Sequence, residues 1–168
     1  VGLTRLDAPV DPDLGTARRV LAAALAAPVA PVAPTSGLDL PAGPHLVLVD
    51  LARVTSGRLE IALTCAAGTL LVGALLEEPR PAALDSSPLL GYIARGVGDA
   101  FRSSERVGGR YAVLLVAGPE PWRLDAVGVH EQLRPRIPVA PFRSDEPRLD
   151  RIYDVAVRTL DLCSHDAY

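Results

Sequence analysis

Lysine, asparagine and methionine are absent from the chain, and all 17 cationic side chains are arginine. Codons for Lys and Asn are poor in G and C, so the composition points to a GC-rich genome. The absences also close several chemistries. Without lysine there is no phosphate-loop lysine and no Schiff-base or pyridoxal-phosphate anchor. Without asparagine there is neither an N-glycosylation site nor a Cys-His-Asn triad. Aromatic residues make up only 4% of the chain, with a single tryptophan, Trp122. Only two cysteines are present, Cys65 and Cys163. Two is sparse for a secreted disulfide scaffold, so a reducing, cytoplasmic location is expected, and spacing leaves open whether they pair.

What remains is ordinary for a globular protein. The 168 residues are 49% apolar and 22% charged, with a net charge of −3. That length and composition predict one domain over residues 1–168 with a single sizeable core. No basic run suggests nucleic acid. No apolar stretch reaches the ~18–20 residues that cross a bilayer, so no membrane role is expected. The first residue is Val1 and no charged-then-apolar leader follows, which suggests a processed chain or an excised domain.

The expected centre of the fold runs from His45 to Glu77. Three apolar runs, His45–Leu51, Arg58–Cys65 and Thr69–Glu77, are separated by Val54–Gly57 and Ala66–Gly68. The runs have strand length and the separators carry Ser and Gly, so an antiparallel meander is predicted. Before it, Leu3–Val10 reads as an edge strand. A helix follows, with Asp11 as N-cap, Pro12 at the first position and Leu14, Ala17, Leu21, Ala24 and Leu25 on one face. Residues 29–44 hold four prolines and read as an internal loop, one that tolerates shortening within Ala30–Ser36.

After the meander, Pro88 opens a predicted second helix with Leu90, Ile93, Ala94, Val97 and Phe101 as its stripe. Arg110–Gly118 is a strand. A short third helix carries Trp122, Ala126, Val129 and Leu133. The last helix starts near Pro147, capped at Ser144–Asp145, with Leu149, Ile152, Tyr153, Ala156, Val157 and Leu160 expected to bury against the chain's own sheet. The fold class is therefore α+β, a meander followed by a β-α-β-α portion with helices packed on the sheet.

No stretch declares a catalytic chemistry, and a non-enzyme is the better reading. Asp50 ends the apolar strand HLVLVD, a shape shared with Mg²⁺-coordinating strands, but the glycine-rich loop and its lysine are missing. A turn-capping carboxylate is the simpler role. Cys65 falls on the face of Leu59, Ile61 and Leu63 and is expected to be buried and slow to react. His130-Glu131 lacks the second histidine of a zinc helix, and Cys163 with His165 and Asp166 makes a poor set beside the four ligands of a structural zinc. No metal site and no cofactor are expected.

The segment Leu59–Leu133 resembles the small proteasome assembly chaperones that pair as heterodimers. The resemblance lies in GTLLVGAL (Gly68–Leu75), SPLLGYIARGVGDAF (Ser87–Phe101) and RYAVLLVAGPEPWRLDAVGVHEQL (Arg110–Leu133). A roadblock-type dimerisation domain has nearly the same order of elements. Either implies a non-catalytic scaffold that works by pairing with a protein partner or a second copy. Interface candidates on that reading are Trp122, Leu89, Leu90 and Tyr92. The alternative is a small nucleotide- or ligand-binding domain or enzyme, with its site near Asp50 and Gly118, where strand ends gather ligands.

Overall fold

The computed structural model describes residues 3–5, 13–26, 37–79, 88–133 and 140–164, with residues 3–5 as backbone. The chain divides into two compact units, Val1–His130 and Glu131–Tyr168, a division that length alone did not suggest. Among the described residues, no helix is long and apolar enough to cross a membrane.

Among the described residues, the first unit is an antiparallel sheet with one helix, an α+β arrangement. Its elements are β1 (Leu3–Arg5), α1 (Leu14–Ala26), β2 (Leu38–Leu40), β3 (Gly43–Thr64), β4 (Leu70–Leu76), β5 (Leu90–Ile93), β6 (Asp99–Arg102), β7 (Val107–Gly118) and β8 (Trp122–Glu131). The main order across the sheet is β2-β8-β3-β7-β4-β5, while β1 and β6 each pair with β3. Strand β2 lies within the proline-rich stretch 29–44; the segment Ala30–Ser36 and the expected caps Asp11 and Pro12 fall outside the described residues.

Strand β3 corrects the expected meander. Val54–Gly57 is not a reversal, and 22 residues continue as one strand. Its register against β7 shifts between Asp50 and Thr55, and Ala52 takes up the irregularity with a φ of 67°. Thr55, Ser56 and Gly57 then pair with Gly109, Gly108 and Val107, which carries the strand onward. Nor is β4 the neighbour of β3. Strand β7 lies between them, with Val113 opposite both Leu48 and Ala74.

That central position explains the unbroken apolar runs. Side chains alternate across a strand, so a run that is apolar throughout needs cover on both faces. Leu46, Leu48, Val72, Ala74, Val113 and Leu115 meet Ala17, Leu21, Ala24 and Leu25 of α1. The intervening Val47, Val49, Leu71, Leu75, Leu114 and Val116 meet Leu59, Ile61 and Leu63, from the second half of β3 itself. The long strand thus leaves one layer at its bend and returns over it in another, as strands do at sandwich corners. Leu59 lies over Gly73, where an added Cβ would come within 3.3 Å of it.

Helix α1 keeps its predicted face, except that Leu14 is 43% exposed. Its cap is Asp13, whose Oδ2 accepts the Thr16 amide at 2.7 Å. The two middle helices do not form. Residues 90–93 and 99–102 are strands joined through Gly96 (φ 141°) and Gly98 (φ 70°), and the Trp122 segment is β8. The apparent stripe was a coincidence of spacing: Leu90 and Ala94 are buried, but Ile93 and Val97 are 59% and 86% exposed.

The second unit contains α2 (Pro147–Cys163). Its N-cap is Glu146, whose side chain accepts the Arg148 amide, while the Ser144 amide donates to Asp150 at 2.8 Å. Phe142 stacks on Tyr153 with ring centroids 5.2 Å apart, and Arg158 pairs with Glu131. No residue of α2 is buried. The expected burial of its apolar stripe is therefore not found.

Candidate functional site

The second half of β3 alternates cleanly, with Leu59, Ile61 and Leu63 inward and the residues between them turned away from the core. Pairing with β6 sets Glu60 opposite Arg102 and Ala62 opposite Ala100. Beside these strands β8 contributes Ala126 and Gly128, and together they line an open groove of about 390 Å³. Its floor is built of small side chains. Its polar end is the Glu60–Arg102 ion pair, at 2.5 Å, with the two side chains 37% and 59% exposed. One carboxylate oxygen, Glu60 Oε1, is buried and meets Arg102 without hydrogen-bond geometry.

A clamp holds the β5–β6 connection next to this groove. Asp99 is buried, and its Oδ2 accepts the Tyr92 hydroxyl at 2.5 Å and the Arg95 amide at 2.7 Å. Its Oδ1 accepts the Arg95 guanidinium at 2.9 Å and the Ala100 amide at 3.0 Å. Tyr92 in turn stacks on Phe101, centroids 4.9 Å apart. The Tyr92 hydroxyl, then the Arg95 amide and guanidinium, hold the Asp99 carboxyl far below the usual carboxylate range.

Because that pKa is depressed on folding, the clamp contributes fully above the unfolded value of about 3.9 and is lost as pH falls towards the folded one. Asp99→Asn presents an amide donor where every partner is a donor, and is expected to cost about 2 kcal/mol at neutral pH. Urea denaturation should show that gap between wild type and variant narrowing below about pH 4. A gap independent of pH would contradict the assignment.

The residues picked from sequence are placed differently. Asp50 is taken up locally: its Oδ1 accepts the Ala52 amide at 2.8 Å, and Arg110 binds both oxygens at 2.8 and 2.7 Å. The Arg110 hydrogen bonds lead in lowering its carboxyl pKa. It steadies the bend of β3. Gly118 lies at the far end of β7, on the order of 20 Å along an extended strand from Tyr111, the partner of Asp50. A Cβ there would meet Glu120 O and Trp122 Cδ1, both at 3.0 Å. These two residues do not form one site.

Among the interface candidates, Trp122 is 3% exposed and packs edge-on against the buried His45, centroids 6.1 Å apart. Leu90 is buried, and Leu89 and Tyr92 are half-buried. Cys65 is buried among Leu59, Ile61 and Leu63, desolvation pushes its thiol pKa up, and both it and the exposed Cys163 are free thiols. His165 and Asp166 fall outside the described residues, among which no cluster of three or more His, Cys, Asp or Glu forms a metal site. Reading by sequence missed Glu60 and Arg102. Their signal was available only as opposite charges that β-pairing brings face to face.

No protein-family model matches the chain, and no curated protein matches it significantly. Solved structures do share its fold. A GH78 family rhamnosidase of Bacillus sp. GL1 superposes with a TM-score of 0.65 at 24% identity, over 82% of this chain and 15% of that one. A rhamnosidase from Klebsiella oxytoca, with rhamnose bound, superposes with a TM-score of 0.52 at 16% identity, over 76% of this chain and 28% of that one. The chain thus matches a minor part of each. The two segments that carried the chaperone resemblance as helices, around Leu90 and after Trp122, are strands.

Proposed function

We propose that this protein is a non-catalytic assembly module that contacts a protein partner through the apolar face of α2, and that its setting is a glycosidase. The observation that carries the reading is the exposure of that face: Leu149, Ile152, Val155 and Leu160 are 49%, 56%, 59% and 64% exposed. Four large apolar side chains along 17 residues of helix are a costly surface to leave in water, since burying each is worth roughly 1.5–3 kcal/mol. Both rhamnosidases contain the fold as a small share of a much longer chain, which supports a supporting rather than a chemical role. Its carboxylates fit the same reading. Asp39, Asp50, Glu60, Asp99 and Glu131 are each engaged by an arginine. A second copy of the chain is the other partner this face accepts.

The test is a triple variant, Leu149→Asp, Ile152→Asp and Leu160→Asp. All three side chains are exposed, so the circular dichroism spectrum and melting temperature should stay within a few degrees of wild type. Light scattering after size exclusion, and co-purification from the native host, should show loss of the dimer or of the captured glycosidase. An unfolded variant, or one that keeps every partner, contradicts the reading.

A further inference from the structure

We propose that the outer face of the sheet just past the bend of β3 binds a doubly charged tetrahedral oxyanion, a phosphate or sulfate group, between the guanidinium groups of Arg58 and Arg106. Register puts the two arginines together. Gly57 pairs with Val107, so the next position on each side holds an arginine, Arg58 on β3 and Arg106 just ahead of β7. Side chains placed opposite each other in this way have Cβ atoms about 5 Å apart. Gly57, Leu59 and Val107 are buried, so by alternation Arg58 and Arg106 turn to the outer face, where both are half-buried.

Like charges directly opposite one another destabilise a sheet. Elsewhere the strands avoid this: Arg102, Arg110 and Arg123 each meet a carboxylate, of Glu60, Asp50 and Asp39. Arg58 and Arg106 meet none among the described residues. The Arg58 Nη1 leans on the Ser103 carbonyl at 3.5 Å, and the Arg106 Nε donates to the Ser56 hydroxyl at 2.9 Å. The Arg106 Nη2 is enclosed without a hydrogen-bonded partner, which raises the cost of leaving this cation without a counter-charge. The donors left for a ligand are the Arg58 Nε and Nη2, the Arg106 Nη1, and the Ser56 hydroxyl, which keeps its own proton while accepting from Arg106.

Charge and shape decide the class. A dianion balances both guanidinium groups, and a tetrahedral one turns separate oxygens to each of them and to Ser56. A carboxylate is planar and singly charged, and balances only one. A nucleic-acid strand is a poor fit, because the chain carries a net charge of −3. The proposal stands apart from the α2 interface, with which it shares no residue.

The experiment follows the amide resonances of Ser56, Arg58 and Arg106 at neutral pH during titration with inorganic phosphate, phenyl phosphate, acetate and sodium chloride at matched ionic strength. Saturable shifts with millimolar affinity are expected for phosphate or its ester, at least tenfold weaker ones for acetate, and none for chloride. Tighter binding of the ester names a phosphate carried on a larger molecule as the source, and tighter binding of the inorganic ion names the free anion. Arg58→Gln should weaken phosphate binding about tenfold, the effect of losing a charge-assisted hydrogen bond. In phosphate-free buffer the same variant should raise the urea midpoint, because one of two facing like charges is gone. Equal shifts with chloride, undiminished phosphate binding by Arg58→Gln, or a urea midpoint lowered by it in phosphate-free buffer would each overturn the proposal.

Discussion

Replacing Gly109 by alanine should cost several kcal/mol and leave the first unit largely unfolded in mild denaturant. Gly109 sits on β7 with a φ of 158°, and a Cβ there would lie 2.7 Å from both the amide nitrogen and the carbonyl oxygen of Leu76. Those are backbone atoms, so no rotamer change relieves the overlap. Either β7 and β4 separate at this point or the pairing of Thr55 with Gly109 is lost. Overpacking of this kind costs about 1–3 kcal/mol when side chains give way, and more when backbone must move. The neighbouring Gly108 is the internal control, because the nearest backbone atom to a Cβ there, Thr55 O, would be an ordinary 3.7 Å away. Urea midpoints of Gly108→Ala and Gly109→Ala settle the matter: similar values would mean that β7 and β4 are not so closely apposed.

The second large effect is expected at Leu21. Its side chain is 0% exposed and sits among Ala17, Leu25, Leu46, Leu48 and Val113, where α1 covers the sheet. Leu21→Ala removes that contact and opens a cavity, with an expected cost of about 2–5 kcal/mol. Leu14→Ala, at a 43% exposed position of the same helix, should change stability by no more than about 0.5 kcal/mol. The ratio of the two urea midpoint shifts reports whether α1 docks in solution. Equal small shifts would mean that the helix is not part of the cooperative unit.

Some of this architecture was legible in the chain. The apolar runs around Leu46, Leu71 and Leu114 are strands because β-rich, strand-length segments leave little choice, and Ala17, Leu21, Ala24 and Leu25 form the buried face that their spacing implies. Helix α2 begins at Pro147 as expected, since proline is tolerated in a first turn. Cys65 follows Leu59, Ile61 and Leu63 into the core by simple alternation.

Other features depended on tertiary pairing. Val54–Gly57 has the composition of a turn, yet Gly109, Gly108 and Val107 offer Thr55, Ser56 and Gly57 a ladder, so the strand runs on. Leu90–Phe101 has helical spacing, but the Tyr92–Asp99–Arg95 clamp and the two positive-φ glycines make it a pair of short strands. Trp122 and Leu124 alternate with Arg123 and Asp125, a two-residue period that a short helical stripe concealed. The groove was least legible of all. Glu60 and Arg102 lie far apart in the chain and face each other because β6 pairs with β3 in one register. A shift of β6 by one residue would turn Arg102 towards the core. Local sequence set the strands and their apolar faces by alternation and propensity. Pairing partner and register, which depend on contacts distant in the chain, decided where the charges and the groove came to lie.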